Sequence, residues 1–243
     1  MLLKAAINGG RTPDEFPAVP LTAEQIARES AAVLAAGADV VHAHARAADG
    51  SQTIDPEAIG AMVRAFRATV PDGVIGTTTG LWTCSGHAER MRLIAAWPED
   101  ALPDFASVAF SEEGAAEAAQ LVLDRGMVLE SAVWSMADVS ALLASPTLHR
   151  NVRILIEPET EDVEEAVSAC RTIAHVLRDA GVEAPILYHG ADQTVWPVVR
   201  AAIQDGCETR VGLEDGLTRE DGSPTAGNVE LIGAVRALEP IIA

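Results

Sequence analysis

Along the whole chain, short apolar runs alternate with Ala-rich stretches whose apolar residues recur at helical spacing. The runs predict strands over Lys4–Asn8, Asp39–Ala43, Val74–Thr79, Phe105–Phe110, Val128–Val133, Val152–Glu157, Pro185–His189 and Glu208–Leu213. The stretches between them predict helices over Thr22–Ala36, Asp55–Thr69, Ser85–Ala96, Glu112–Arg125, Ser135–Leu143, Thr160–Ala180, Ala191–Gln204 and Asn228–Leu238. Thr22 precedes Glu24 and Gln25 at capping-box spacing, and Gly37, Gly126 and Gly181 fall where three of the helices must stop. RILIE and APILY are continuous rather than alternating apolar runs, as expected of parallel strands covered on both faces. Eight strand–helix units in this length is roughly 30 residues per unit, the repeat of a (β/α)8 TIM barrel of the α/β class. No linker or composition shift divides residues 1–243, so a single domain is expected. An open doubly wound sheet is the alternative, but NGGRTP after the first strand lacks its GxGxxG turn. The fifth helix is the weakest element, short and ending near Ser145–Pro146.

Charge narrows the partners. Seventeen basic against 36 acidic residues leave a net charge of −19, which repels phosphate backbones and anionic membrane surfaces. Neither nucleic acid nor a membrane is therefore expected as a partner. No apolar run reaches the roughly 18 residues of a membrane span, and MLLKAAINGG does not read as a signal peptide. Cys84, Cys170 and Cys207 are widely spaced without a CxxC, which speaks against a disulfide framework or a cysteine zinc site and for a cytoplasmic home. Lys4 is the single lysine against sixteen arginines, and it opens the first strand, where side chains support the fold. Schiff-base chemistry needs a lysine amine in the active site, so the sequence speaks against lysine-dependent aldolases and pyridoxal phosphate enzymes.

In a parallel barrel the chemistry sits at the carboxyl ends of the strands. Polar residues gather there: His42 and His44 on the second strand, Thr77 to Thr79 on the third, Ser107 on the fourth and Glu130 on the fifth. Glu157 follows on the sixth, His189 on the seventh, and Arg210, Glu214 and Asp215 at the eighth. In VHAHAR, two histidines two residues apart on a strand share a face and can approach one ion. A pair of imidazoles plus a carboxylate suits zinc, and Glu214 is the natural third ligand; the plain alternative is two hydrogen-bonded histidines without metal. Asp215 reads as a general base or a helix cap, and Arg210 as its orienting partner or a carboxylate clamp. Thr78, Thr79 and Ser107 offer hydroxyls to a substrate carboxylate or an oxyanion, or merely strand-end hydrogen bonds. Glu130 and Glu157 require partners when buried, with Arg153 and Arg46 as candidates. Trp82, Trp134 and Trp196 read as packing beneath loops, and His87, His149 and His175 as surface residues.

HAHAR after TAEQIARESAAVLAAGADVV, then GTTTG, FASVAF, and RVGLEDG followed by Asn228, resemble the β-keto acid cleavage enzymes from about Ala6 to Leu238. The resemblance implies a TIM barrel holding Zn2+ by His42, His44 and Glu214. It implies cleavage of a β-keto acid with acetyl-CoA as co-substrate, by retro-Claisen chemistry, to acetoacetate and a new CoA thioester. The family's base and arginine fall on Asp215 and Arg210, its hydroxyls on Thr78 and Ser107, and a strand-5 glutamate on Glu130. In that scheme Asp215 removes a proton from the acetyl-CoA methyl group, and the carbanion adds to the ketone. Thr79, Arg11, Arg46 and His189 complete the expected substrate-binding set, and relatives form homo-oligomers, dimers or tetramers.

The chain also departs from the pattern. Ala47 stands where the family often has Asp after HxHxR, Gly216 where Asn commonly follows GLED, and Ala109 where the founding enzyme has Asn. After the first strand, Asn8-Gly9-Gly10-Arg11 carries no acid to meet a substrate ammonium. If Arg11 reaches the pocket instead, the substrate tail is neutral or anionic. Two other readings stand beside cleavage: a metal-dependent C–C lyase or hydrolase working without CoA, and a catalytically silent binding barrel.

Overall fold

Four consecutive residues, Leu3–Ala6, are buried on both faces, as a strand of a closed parallel sheet must be. They form β1 of a barrel completed by β2 (Val40–His42), β3 (Ile75–Thr78), β4 (Phe105–Ala109), β5 (Val128–Val133), β6 (Asn151–Ile156), β7 (Ile186–Tyr188) and β8 (Glu208–Val211). The strands run parallel in sequence order, and β8 closes on β1 through Leu3 opposite Thr209 and Lys4 opposite Arg210. The structure is a computed structural model that describes the backbone of residues 1–242 and the side chains of residues 1–238. Each strand is followed by its helix: α1 (Ala23–Ala35), α2 (Pro56–Thr69), α3 (His87–Ala95), α4 (Ala115–Asp124), α5 (Met136–Leu143), α6 (Val163–Asp179), α7 (Val195–Gln204) and α8 (Asn228–Ile242). This is the (β/α)8 TIM barrel that the alternation predicts. Among the described residues, no helix is long and apolar enough to cross a membrane.

Capping chemistry sets the element ends. Thr22 and Gln25 form a reciprocal capping box at the start of α1, and Ser135 with Asp138 does the same for the eight-residue α5. The sixth helix begins at Val163 rather than Thr160 because Asp162 takes the cap, accepting from Glu165 N at 2.9 Å. The seventh starts at Val195 because Asp192–Thr194 forms a tight single turn first. Helices bury one stripe each against the barrel; α6 turns Ala166, Cys170, Ile173, Ala174 and Leu177 inward.

Inside the barrel the packing is ionic where branched apolar layers are the rule. Lys4 Nζ lies 2.5 Å from Glu130 Oε2, Arg153 grips the other oxygen of Glu130, and Arg153 Nε reaches Glu208 Oε2 at 2.6 Å. Ser107 Oγ donates to Glu130 at 3.0 Å. Ser107, Glu130 and Arg153 are register partners on β4, β5 and β6, so one row of the sheet forms this plug. Burial pulls Lys4 down to about 8 against the attraction of Glu130. For Glu130, burial is outweighed by Lys4 and Arg153, which hold its carboxyl below the usual range.

The expectation that Glu130 meets substrate at the strand end is thereby corrected. Glu130 is the third residue of six in β5, fully buried, and both its oxygens are taken by protein partners. It anchors the floor beneath the mouth. Lys4 is its counter-ion there.

Candidate active site and metal centre

His42 ends β2 and His44 follows two residues on, so both side chains point to the same end of the barrel interior. Asn8 fixes the second histidine's backbone: its Oδ1 accepts from His44 N at 2.8 Å and its Nδ2 donates to His44 O at 2.9 Å. Glu214 arrives from the opposite side of the closure, just past β8. One glycine makes room for it: a Cβ at Gly9, which has φ +44°, would lie 2.2 Å from Glu214 Cγ. Gly212 serves the closure instead, since a Cβ there would lie 1.9 Å from Ala6 O and hold the chain after β8 away from β1.

The three side chains converge. His42 Nε2 and His44 Nε2 stand 3.0 Å apart, His44 Nε2 is 3.6 Å from Glu214 Oε1, and His42 Nε2 is 3.9 Å from Glu214 Oε2. Ligands at about 2.0–2.1 Å in a tetrahedron are roughly 3.3 Å from one another, so these separations bracket what one zinc-sized ion requires. Glu214 Oε1 pairs with Arg210 Nη2 at 2.6 Å, whereas the buried Oε2 has no hydrogen-bond partner among the described residues. An orphaned, buried carboxylate oxygen beside two imidazoles is costly without a cation. His44 Nδ1 donates to Gln52 Oε1, leaving Nε2 as a lone pair. Burial drives His42 well below its ordinary range, toward the neutral, ligating form, and Arg210 holds Glu214 far below the carboxylate range despite burial. The donor set fits a divalent metal on geometry, protonation and unsatisfied valence together.

Behind the triad lies a charged chain. Arg210 Nε sits 3.1 and 3.2 Å from the two oxygens of Asp215, and its Nη2 also bonds Asp215 Oδ1. His189 Nε2 lies 2.9 Å from Asp215 Oδ1, and His189 Nδ1 lies 2.9 Å from Glu157 Oε1. Burial and Arg210 push His189 down, but Glu157 and Asp215 overcome both and raise it to about 9. Burial would raise Glu157, yet His189 and Arg210 keep it below the usual range. His189 is therefore an imidazolium at neutral pH, clasped by two carboxylates.

A cavity of about 100 Å³ opens above the floor. It is lined by the polar His42, His44, Thr78, Ser107, Arg210 and Glu214, by the apolar Ala109, Ala132 and Leu155, and by Trp82, Trp134 and Glu157. Thr78 Oγ1 accepts from Gly80 N at 3.0 Å and keeps its proton for a ligand, whereas the Ser107 proton goes to Glu130. Arg210 Nη1 makes no hydrogen bond to any described residue, so that edge of the guanidinium is available to an anion.

Other expected contacts lie elsewhere. Arg11 donates to Leu213 O at 3.0 Å, Glu15 Oε1 at 3.1 Å and Asp192 Oδ1 at 2.7 Å, so its charge is matched at the rim and does not line the cavity. Arg46 binds the carbonyls of Gly9, Arg11 and Gly50, tying together the loops after β1 and β2. Thr79 Oγ1 donates to Ser107 O at 2.8 Å, an inter-strand bond. His189 is likewise behind the wall. Trp196 does pack beneath a loop, its Nε1 donating to Thr218 O at 2.9 Å, but Trp82 is 52% exposed at the mouth and Trp134 faces the cavity. Gln52 and Asn8 escape the sequence reading; only their proximity to the HxH and NGG motifs hints at them.

A sequence profile described as beta-keto acid cleavage enzyme matches residues 1–240. The 3-keto-5-aminohexanoate cleavage enzyme of Acetoanaerobium sticklandii is 28% identical over 252 residues, covering 97% of this chain and 90% of that protein. The enzyme of the same name from Fusobacterium nucleatum is 26% identical over 248 residues, covering 97% and 89%. Among solved structures, the ternary complex of ObcA with C4-CoA adduct and oxalate superposes with a TM-score of 0.73 at 18% identity over 91% of this chain. This chain spans 63% of the ObcA chain, and at that identity the likeness concerns the fold alone. With the profile running the length of the barrel and two relatives aligned over nearly all of it, the chain belongs to the β-keto acid cleavage enzyme family.

Proposed function

We propose that this chain cleaves a β-keto acid with acetyl-CoA as co-substrate, releasing acetoacetate and a CoA thioester of the remaining acyl group. The observation that carries the proposal is the His42, His44 and Glu214 cluster, with its unpartnered oxygen, beside the open edge of Arg210. Zn2+ held there would supply Lewis-acid polarisation of a ketone oxygen. The relatives' names and the family support the substrate class.

The balance of atoms revises one step of the expected chemistry. Adding the acetyl-CoA methyl carbon to the ketone, followed by CoA transfer and cleavage, only regenerates the starting pair. The products require the C2 carbon of the keto acid to become the nucleophile. Its proton, flanked by ketone and carboxylate, passes to the enzyme, and C2 attacks the thioester carbonyl as the C–S bond breaks. The released thiolate adds to the original ketone carbon, the C2–C3 bond breaks, and C2 is left as acetoacetate. No net proton is consumed.

Residues of the chain divide these tasks. Arg210 Nη1 and the Thr78 hydroxyl bind the carboxylate and steady the oxyanions, in a dry site where such donors contribute most. Asp215 stores the proton; its Oδ2 accepts one hydrogen bond against three on Oδ1, leaving lone-pair capacity. Asp215 is itself shielded, and Glu157 is the cavity-facing end of its chain through His189, so the proton travels by that route. The reading further has the protein acting as a cytoplasmic homo-oligomer, for which the family likeness and Ala-rich outer helices are the support. The deciding assay follows both loss of the β-keto acid and release of acetoacetate over a panel of β-keto acids with zinc-loaded protein, with and without acetyl-CoA. Turnover that needs acetyl-CoA supports the reading; turnover without it identifies a simple lyase or hydrolase, and none at all a silent barrel.

A further inference from the structure

The cavity is divided chemically in two, and its second half has no work to do in binding a β-keto carboxylate. Ala109, Ala132, Leu155 and Leu187 are register partners on β4, β5, β6 and β7, a single inward-facing row that is apolar throughout. Two residues earlier on β4 to β6, the row of Ser107, Glu130 and Arg153 is polar and fully paired. Ala132, Leu155 and Leu187 form an apolar cluster of their own, separate from the main core. Stability does not call for hydrocarbon on top of an ion network. Two of the three lining side chains are alanines, which leave space where a packed barrel layer places bulky branched residues.

Position gives the row a purpose. In an eight-stranded barrel β6 stands across from β2, so Leu155 faces the side that carries His42 and His44. A ligand whose head is held at the histidines, Thr78 and Arg210 must extend its tail toward Ala109, Ala132 and Leu155.

Among the described residues no charge stands on that apolar row, and the charges beside it are already engaged or face the head group. Glu157 is engaged by His189 and by Trp134 Nε1 at 3.3 Å, and the bonded edge of Arg210 is matched by Asp215 and Glu214. Arg11 is neutralised at the rim, and Lys4, the one lysine, is sealed in the floor. An ammonium or carboxylate on the tail would be desolvated against methyl groups without a partner, which is strongly unfavourable.

We infer that the β-keto acid taken by this site carries a short, uncharged alkyl tail seated on Ala109, Ala132 and Leu155. The inference rests on the cleavage reading above for the head group, and concerns only what lies beyond the ketone.

The test compares kcat/KM for three β-keto acids of matched length with zinc-loaded protein and acetyl-CoA: 3-oxohexanoate, 3-oxoadipate and 5-amino-3-oxohexanoate. The alkyl compound should lead both charged ones by about 100-fold. A margin under tenfold, or a charged compound in front, overturns the inference. Should none be turned over, the cleavage reading fails on its own, and equilibrium binding of the same three compounds without acetyl-CoA decides the tail. Tighter binding of the alkyl compound by tenfold or more sustains the inference, and equal, weaker or undetectable binding overturns it. Leu155→Ala tests the wall directly: it should move the preferred alkyl tail one or two carbons longer, at about tenfold per methylene. An unchanged length preference, in turnover or in binding, counts against the wall.

Discussion

One oxygen of Gln52 accepts both the Nδ1 proton of His44 and the Nε1 proton of Trp82, the latter at 3.2 Å. Trp is a donor only, so the atom facing both rings is the carboxamide oxygen, and His44 must carry its proton on Nδ1. The lone pair on Nε2 is thereby aimed at His42 and Glu214. Such outer partners set the tautomer and orientation of a metal-binding histidine.

Gln52→Ala should therefore weaken zinc binding by about 10–100-fold while the fold is kept. Competition against a chromogenic chelator reads the affinity, and circular dichroism reads the fold. Unaltered affinity would remove Gln52 from this role.

Metal retention and proton transfer should separate by mutation. Glu214→Gln removes the anionic ligand, and elemental analysis should find the zinc content reduced. Asp215→Asn should keep the metal and lower kcat by about 10²–10⁴, the usual contribution of a positioned base. Loss of zinc in Asp215→Asn would mean that Asp215 holds the metal site together instead.

The floor of the barrel is expected to matter for stability more than for binding. Lys4→Met strips Glu130 of one buried counter-ion, a change that costs about 3 kcal/mol or more. Urea unfolding measures it. Lys4→Met with Glu130→Leu should recover part of the loss, because the uncompensated charge goes too; a double variant no better than the single would show that Arg153 dominates the network.

His189 predicts a pH window. Its value is raised from 6.5 to about 9, so the folded state holds the proton more tightly than the unfolded chain does. The resulting stabilisation is complete below pH 6.5 and is lost as pH rises through 9. Lys4, lowered from 10.5 to about 8, acts in the opposite sense: stability rises with pH between 8 and 10.5. The clean interval is therefore pH 6.5 to 8. There the unfolding free energy of the wild type should fall with pH, and His189→Gln should flatten the slope. Equal slopes in the two proteins would show that His189 carries no excess proton.

Alternating apolar and periodic segments were enough, by themselves, to determine all eight strand–helix units and their order. Periodicity and caps are local properties, written within a few residues of where they act: Thr22 with Gln25, Ser135 with Asp138, Asp162 ahead of α6. The HxH pair was legible for the same reason, since a strand's two-residue repeat puts both imidazoles on one face. Glu214 and Asp215 were legible as the polar end of the last strand. What only the tertiary structure decided is which polar residues meet. Glu130 reads as a strand-end acid, but its height in the barrel depends on its register with Ser107 and Arg153, and that stagger is a property of the closed sheet. Arg11 and Arg46 read as pocket cations, yet loop paths bring Asp192 to one and backbone carbonyls to the other. Gln52, Glu157 and the alanine-lined wall take their meaning from side chains on other elements, and no local pattern encodes such a meeting.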